Sequence, residues 1–148
     1  MGETLLFMHQ LWELMHALQV RSKRMARTLG VTGPQRLVIR LVGQFPNITA
    51  RELSTTLGMH PSTLTGVLSR LERMKVIERT IDPKDRRRAR FSLTQAGKDI
   101  DRVKRGTVEA AVRRALSRAD ASTIEKSSVM LGLLVTELSR AEEVTRST

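Results

Sequence analysis

The segment between Thr49 and Pro61 constrains this chain more than any other. Thr49-Ala50-Arg51-Glu52 has the Thr-x-x-Glu form in which a threonine hydroxyl and a glutamate carboxylate satisfy each other's backbone N–H at a helix start. Gly58 then suits the left-handed conformation that ends a helix. Pro61 cannot sit inside a helix but is well placed to begin one. The spacing therefore predicts a short helix with Leu53 and Leu57 inward, a tight turn, and a second helix. Leu64, Val67, Leu68 and Leu71 form the apolar stripe of that second helix, which should end near Lys75. Two short helices across a glycine-containing turn make a helix-turn-helix.

The residues that follow change period. Residues 76–81 read as a strand, Asp82-Pro83-Lys84-Asp85 as a turn, and residues 89–93 as a returning strand. Phe91 and Leu93 alternate with Arg90 and Ser92, as a half-buried strand requires. Around this centre lie longer helical patterns. Residues 3–29 repeat Leu5, Met8, Trp12, Met15 and Leu18 at helical spacing, with Gly30 as the stop. Thr32-Gly33-Pro34-Gln35 is another capping box and opens a helix carrying Leu37, Ile39, Leu41 and Val42 to about Gly43. Phe45-Pro46-Asn47 reads as a turn. Thr94 should cap a helix running to about Leu116, and Ser117-Arg118-Ala119-Asp120 resembles a weaker capping box. A last helix carries Ile124, Met130, Leu131, Leu134 and Leu138, and residues 142–148 read as a polar, frayed tail.

The expected fold is mainly α with a small β-hairpin wing, a winged helix-turn-helix flanked by long terminal helices. Residues 1–148 are read as a single domain. Residues 32–97 are read as the winged helix-turn-helix lobe, and residues 1–31 and 98–148 as dimerisation helices. The run Val129-Met130-Leu131-Gly132-Leu133-Leu134-Val135 places apolar residues on more than one helix face. A second copy of the chain is the simplest cover, so a homodimer is expected.

Charge points to the partner. The chain carries 26 Lys and Arg against 15 Asp and Glu, a formal net charge of +11. Such an excess attracts polyanions. It is densest at the hairpin, where Arg86, Arg87, Arg88 and Arg90 crowd together. These cations repel one another in water, and a polyanion relieves the repulsion while releasing counterions. Ser62, Thr63 and Thr65 stand near the start of the second short helix. Small hydroxyl side chains suit a helix inserted in the major groove. They also cap helices well, and the pattern alone leaves both readings open.

The stretches Ile48-Thr49-Ala50-Arg51-Glu52-Leu53, Pro61-Ser62-Thr63-Leu64-Thr65, residues 71–79, Asp82-Pro83-Lys84-Asp85-Arg86-Arg87 and Leu93-Thr94-Gln95-Ala96-Gly97 resemble the MarR family of regulators. The resemblance is nearly continuous over residues 48–97, and the Asp-x-Arg pattern of Asp85 and Arg87 is its most specific part. It implies a dimer joined through the first and last helices. It also implies sequence-specific binding to a pseudo-palindromic double-stranded DNA site, with one recognition helix and one wing per subunit. The implied DNA-binding residues are Thr49, Pro61, Ser62, Thr63, Thr65, Arg70, Arg79, Asp85, Arg86, Arg87 and Arg88. Arg87 would enter the minor groove, held by Asp85, while Arg70 and Arg79 would touch phosphates or brace the wing. The implied activity is that of a transcription regulator, a repressor relieved by a small anionic or lipophilic effector. Two residues depart from the family's habit. Gly66 stands inside the recognition helix where a larger side chain is common, and His60 stands at its N-cap.

Other readings are weaker. Cysteine is absent, which excludes disulfides and thiolate zinc sites. His9 and His16 lie two helical turns apart, about 10 Å, too far to share one metal from that helix. No nucleophile–base–acid spacing and no glycine-rich phosphate loop is present. The chain is therefore expected not to be an enzyme, to need no cofactor or metal, to have no membrane attachment, and to work in the cytoplasm. Arg21, Lys23, Arg24 and Arg27 could meet an anionic effector or simply favour a helix C-terminus. The alternatives to a regulator are an architectural nucleic-acid binder with little base preference and a winged-helix protein-interaction module.

Overall fold

The computed structural model describes the backbone of residues 2–146 and the side chains of residues 2–140. The frayed tail expected from Glu142 onward lies outside the described side chains. The element order is α1 (Glu3–Leu29), α2 (Gly33–Gln44), β1 (Ile48–Thr49), α3 (Ala50–Leu57), α4 (Pro61–Arg73), β2 (Ile77–Ile81), β3 (Ala89–Leu93), α5 (Gln95–Arg102), α6 (Val108–Leu116) and α7 (Ala121–Arg146). The chain divides into two compact units, residues 1–108 and 109–148.

In the first unit, local chemistry sets the helix starts. The Thr32 hydroxyl accepts from Gln35 N at 3.4 Å while Gln35 Oε1 accepts from Thr32 N at 3.0 Å. The Ser22 hydroxyl accepts from Gly33 N at 2.7 Å, tying α1 to the start of α2. Gly58 ends α3 in the left-handed conformation, φ 59°, where a residue with a Cβ would be strained. α4 stops at Arg73, two positions before the residue expected from the pattern. Lys75 itself adopts a positive φ of 57° and turns the chain into β2.

The sheet has the order β1-β3-β2 and is antiparallel throughout. Its hairpin register pairs Ile77 with Leu93 and Ile81 with Ala89. The sequence pattern predicted these two strands. The third, β1, is too short to show a period, and it forms because Ile48 and Thr49 pair with Phe91 and Arg90. Val38, Ile39, Val42, Leu53, Leu64 and Leu71 are buried in the core beneath this sheet, with Phe91 and Leu93 from β3. Val38 rather than Leu37 is the buried member of that part of α2, and Leu37 is exposed.

The helix expected from Thr94 to about Leu116 is two helices. α5 ends at Arg102, and Val103 turns extended with ψ 119°. Gly106 has a φ of 74°, and α6 starts two residues later. The cause is a buried arginine. Arg36 on α2 is 2% exposed. Its guanidinium donates to the carbonyl oxygens of Ile100, Asp101 (3.3 Å) and Val103 (2.6 Å), satisfying groups that a continuous helix would have used itself. At the other end of α5, the Thr94 hydroxyl caps Gly97 N at 3.1 Å. A Cβ on Gly97 would lie 2.1 Å from the Val76 carbonyl oxygen, so only glycine lets α5 sit this close to the root of the hairpin.

In the second unit, the cap of the last helix is Asp120 and not Ser117. Asp120 Oδ1 accepts from Thr123 N at 2.7 Å, whereas the Ser117 hydroxyl donates back to the Arg114 carbonyl. That backbone N–H, then the Thr123 side chain, holds the Asp120 carboxyl below its ordinary pKa.

Candidate nucleic-acid interface

The buried stripe Leu64, Leu68 and Leu71 fixes how α4 is rotated. The opposite stripe therefore faces outward, and Pro61, Ser62, Thr63, Thr65, Gly66 and Arg70 are all exposed. The N-cap is His60, whose Nδ1 accepts from Ser62 N at 3.2 Å and lies 2.7 Å from Ser62 Oγ. The Thr65 hydroxyl donates to the Pro61 carbonyl at 2.8 Å. Thr63 makes no side-chain hydrogen bond among the described residues. Its hydroxyl is therefore uncommitted on the open face of the helix.

Thr49, another residue of the expected contact set, sits in a capping box. Its hydroxyl accepts from Glu52 N at 3.2 Å and donates to Glu52 Oε2 at 2.9 Å, while the same carboxylate oxygen accepts from Thr49 N at 2.8 Å. These bonds to Thr49 hold the Glu52 carboxyl below its ordinary pKa. The capping box thus occupies the polar atoms of Thr49 and sets the angle at which α3 leaves β1.

The wing, residues 82–88, is built on two carboxylates. Asp82 Oδ1 accepts from Lys84 N at 2.9 Å, an Asx turn that the Asp-Pro pair starts. Its other oxygen takes a bidentate pair from Arg90, at 3.0 Å from Nε and 2.8 Å from Nη2. Arg90 Nη1 also reaches the Asn47 carbonyl at 3.1 Å, so this one side chain ties the wing root to the turn before β1. The Lys84 N–H first, and Arg90 second, hold the Asp82 carboxyl below its ordinary pKa. Sequence reasoning gave Arg90 only a share of the basic field and saw Asp82 as a turn former. The Asp-Pro Asx-turn signature could have marked Asp82, but the Arg90 partnership depends on strand register.

Asp85 organises the tip. Its Oδ1 accepts from Arg87 N at 3.0 Å and faces Arg87 Nε at 3.4 Å, while Oδ2 lies 3.5 Å from Arg88 Nε. The Arg87 side chain is nonetheless 92% exposed. The pairing of Asp85 with Arg87 matches what the resemblance implies, and Arg88 shares the same carboxylate. Arg86 is exposed and has no ion pair among the described residues. Arg79 is exposed on β2, opposite Phe91 in the register.

A cleft of about 400 Å³ in this unit is lined by Gly43, Pro46, Ser92, Lys98, Asp101 and Arg102, among others. Its rim mixes both charge signs, and Arg40 already pairs with Asp101 at 2.7 Å. Among the described residues, no group of three or more His, Cys, Asp or Glu is placed to hold a metal ion. No described helix is long and apolar enough to cross a membrane.

A helix-turn-helix whose second helix presents a bare polar face, followed by a hairpin with a braced arginine tip, defines a winged helix-turn-helix. Residues 29–88 match the MarR family model. Solved structures agree in fold. The S. aureus MepR–DNA complex matches with a TM-score of 0.73 at 19% identity, over 89% of this chain and 97% of that one. FabT of Streptococcus pneumoniae, also in complex with DNA, matches at 0.67 and 22% identity, over 94% and 99%. PcaV of Streptomyces coelicolor, with its natural ligand, matches at 0.67 and 24% identity, over 90% and 92%. No curated protein sequence matches the chain significantly.

Proposed function

We propose that the chain is a homodimeric transcription regulator that binds double-stranded DNA by sequence. In this reading α4 enters the major groove, the wing enters the minor groove, and the site is pseudo-palindromic. The observation that carries it is the geometry of Arg87. A side chain left 92% exposed is normally free to move, yet Asp85 holds this one by its backbone and its Nε. Ordering an exposed arginine does little for the fold. It does lower the cost of inserting that arginine into a narrow groove, where negative potential is concentrated. Pro61, Ser62, Thr63 and Thr65 on α4, with Arg70, Arg79, Arg86 and Arg88 around them, complete the proposed contact surface.

Dimerisation is the second part of the proposal. Trp12 of α1 is 62% exposed, and Val135 and Leu138 of α7 are 64% and 69% exposed. Each helix carries several such residues, and contiguous apolar surface of this kind marks an association site. Residues 1–31 and 98–148 would supply the interface, and residues 32–97 the DNA-binding lobe. The similar structures solved with DNA and with a natural ligand support a regulator's role; work in the cytoplasm, without catalysis, belongs to the same proposal. Repression relieved by a small anionic or lipophilic effector is the finer form of the proposal. Arg21, Lys23, Arg24 and Arg27 are the cations nearest to hand on α1 for an anion.

The wing variants test this reading. Arg87→Ala should weaken binding to a preferred duplex about tenfold and lower the salt slope by about one per wing. Asp85→Ala should weaken binding too, although it removes a negative charge near DNA. Titration of both against one duplex at several salt concentrations checks the signs. Tighter binding by Asp85→Ala would reduce the wing to an unspecific basic patch, as the architectural alternative requires.

A further inference from the structure

Three hydroxyl side chains, Ser62, Thr63 and Thr65, stand near the start of α4, and their protons are not equally available. Ser62 N lies 3.2 Å from His60 Nδ1, a contact that Nδ1 accepts only in the tautomer protonated on Nε2. In that tautomer the Ser62 hydroxyl, 2.7 Å from Nδ1, is the donor of their bond. The Thr65 hydroxyl proton is committed to the Pro61 carbonyl at 2.8 Å. Once a hydroxyl has given its proton, only its oxygen lone pairs face outward. Of these three, only Thr63 keeps a proton to offer.

We infer that Ser62 and Thr65 read the major groove as hydrogen-bond acceptors only, and that His60 imposes this on Ser62. The inference rests on the DNA-binding reading and deepens it. In the major groove the donors are the N4 amino group of cytosine and the N6 amino group of adenine, while guanine, and the O4 of thymine, offer acceptors. Ser62 and Thr65 therefore select exocyclic amino groups. An unconstrained serine or threonine would accept either edge. His60 is a positioning residue: it holds the Ser62 proton inward while it caps the helix. The Thr65 bond to Pro61 does the same one turn later, without a side-chain partner. The selectivity is thus written into how α4 starts.

Two measurements on the intact protein test this. Nitrogen-15 NMR of the free protein should show His60 with its proton on Nε2, and a proton on Nδ1 overturns the inference without reference to DNA. The second begins with a preferred duplex selected from a random pool. Each cytosine or adenine in it is then replaced by the analogue lacking the exocyclic amino group, 2-pyrimidinone or purine. One such deletion should weaken wild-type binding about fivefold and leave Ser62→Ala unaffected, and a different one should behave so for Thr65→Val. His60→Ala should relax the preference at the Ser62 base to include guanine or thymine while keeping the preference at the Thr65 base. His60→Asn, which keeps a capping acceptor beside Ser62, should restore it. Coupling of Ser62 or Thr65 to a guanine or thymine edge in the wild type overturns the inference while leaving DNA binding intact. A pool that yields no preferred duplex overturns the DNA reading itself.

Discussion

Single residues in this protein act mainly by holding something else in place. Gly66 is the exception. It sits in the interior of α4 with open space where a Cβ would go. Gly66→Ala should therefore stabilise the fold by about 0.5–1 kcal/mol, the helix propensity that glycine forgoes. Chemical denaturation checks this, and a loss of stability would mean that the helix is strained there. Asp82 is the opposite case, a carboxylate on which several groups depend. Its folded pKa lies below the unfolded one, first through Lys84 N–H and then through Arg90. Its contribution to stability is thus complete above the ordinary carboxylate pKa, about 4, and is lost as pH falls through the lowered folded value. The thermal midpoint should drop between about pH 4 and pH 2. Asp82→Asn should be less stable at neutral pH and should flatten that drop. An unchanged acid profile in the variant would show that the wing root does not depend on this carboxylate.

At the level of elements, Arg36 ends one helix from inside another. Its guanidinium takes the last carbonyls of α5 while it is buried in α2. Arg36→Met would leave several buried carbonyls without donors and should cost about 3 kcal/mol. Arg36→Lys should recover little of it, because a lysine lacks the planar fork that spans several acceptors. Equilibrium unfolding of both variants settles this, and a Lys variant as stable as wild type would refute the clasp. The same residue shows what the sequence could and could not reveal. Helix starts were legible because capping boxes are local: Thr32 with Gln35 and Thr49 with Glu52 formed as their spacing predicts. The hairpin was legible from its period and from Asp82-Pro83. The break after α5 was not, because its cause stands more than sixty residues away, at Arg36. β1 was missed for a similar reason, since two residues have no period and depend on pairing with β3. At the site, the Asp85–Arg87 pair was legible through the family resemblance that the Asp-x-Arg pattern carries. The Arg90–Asp82 brace was hidden because it needed the register of the finished sheet.

For the molecule as a whole, the account joins two requirements: apolar helix faces that need covering and a polar face that needs a polyanion. Leu131 and Leu138 on α7 are 50% and 69% exposed, so charging them removes little packing within the described side chains. The variant Leu131→Glu with Leu138→Glu should be a folded monomer by light scattering, with duplex affinity reduced by at least about a hundredfold because two half-sites no longer act together. A dimer that survives both changes would place the interface elsewhere. The most direct test of the central claim is competition on the intact protein. A duplex selected from a random pool is titrated at several salt concentrations against a scrambled duplex of equal composition. Preference for the selected duplex by at least about a thousandfold, with one dimer bound per site, is the predicted result. Equal affinity for both duplexes, or no binding to either at low salt, would contradict it.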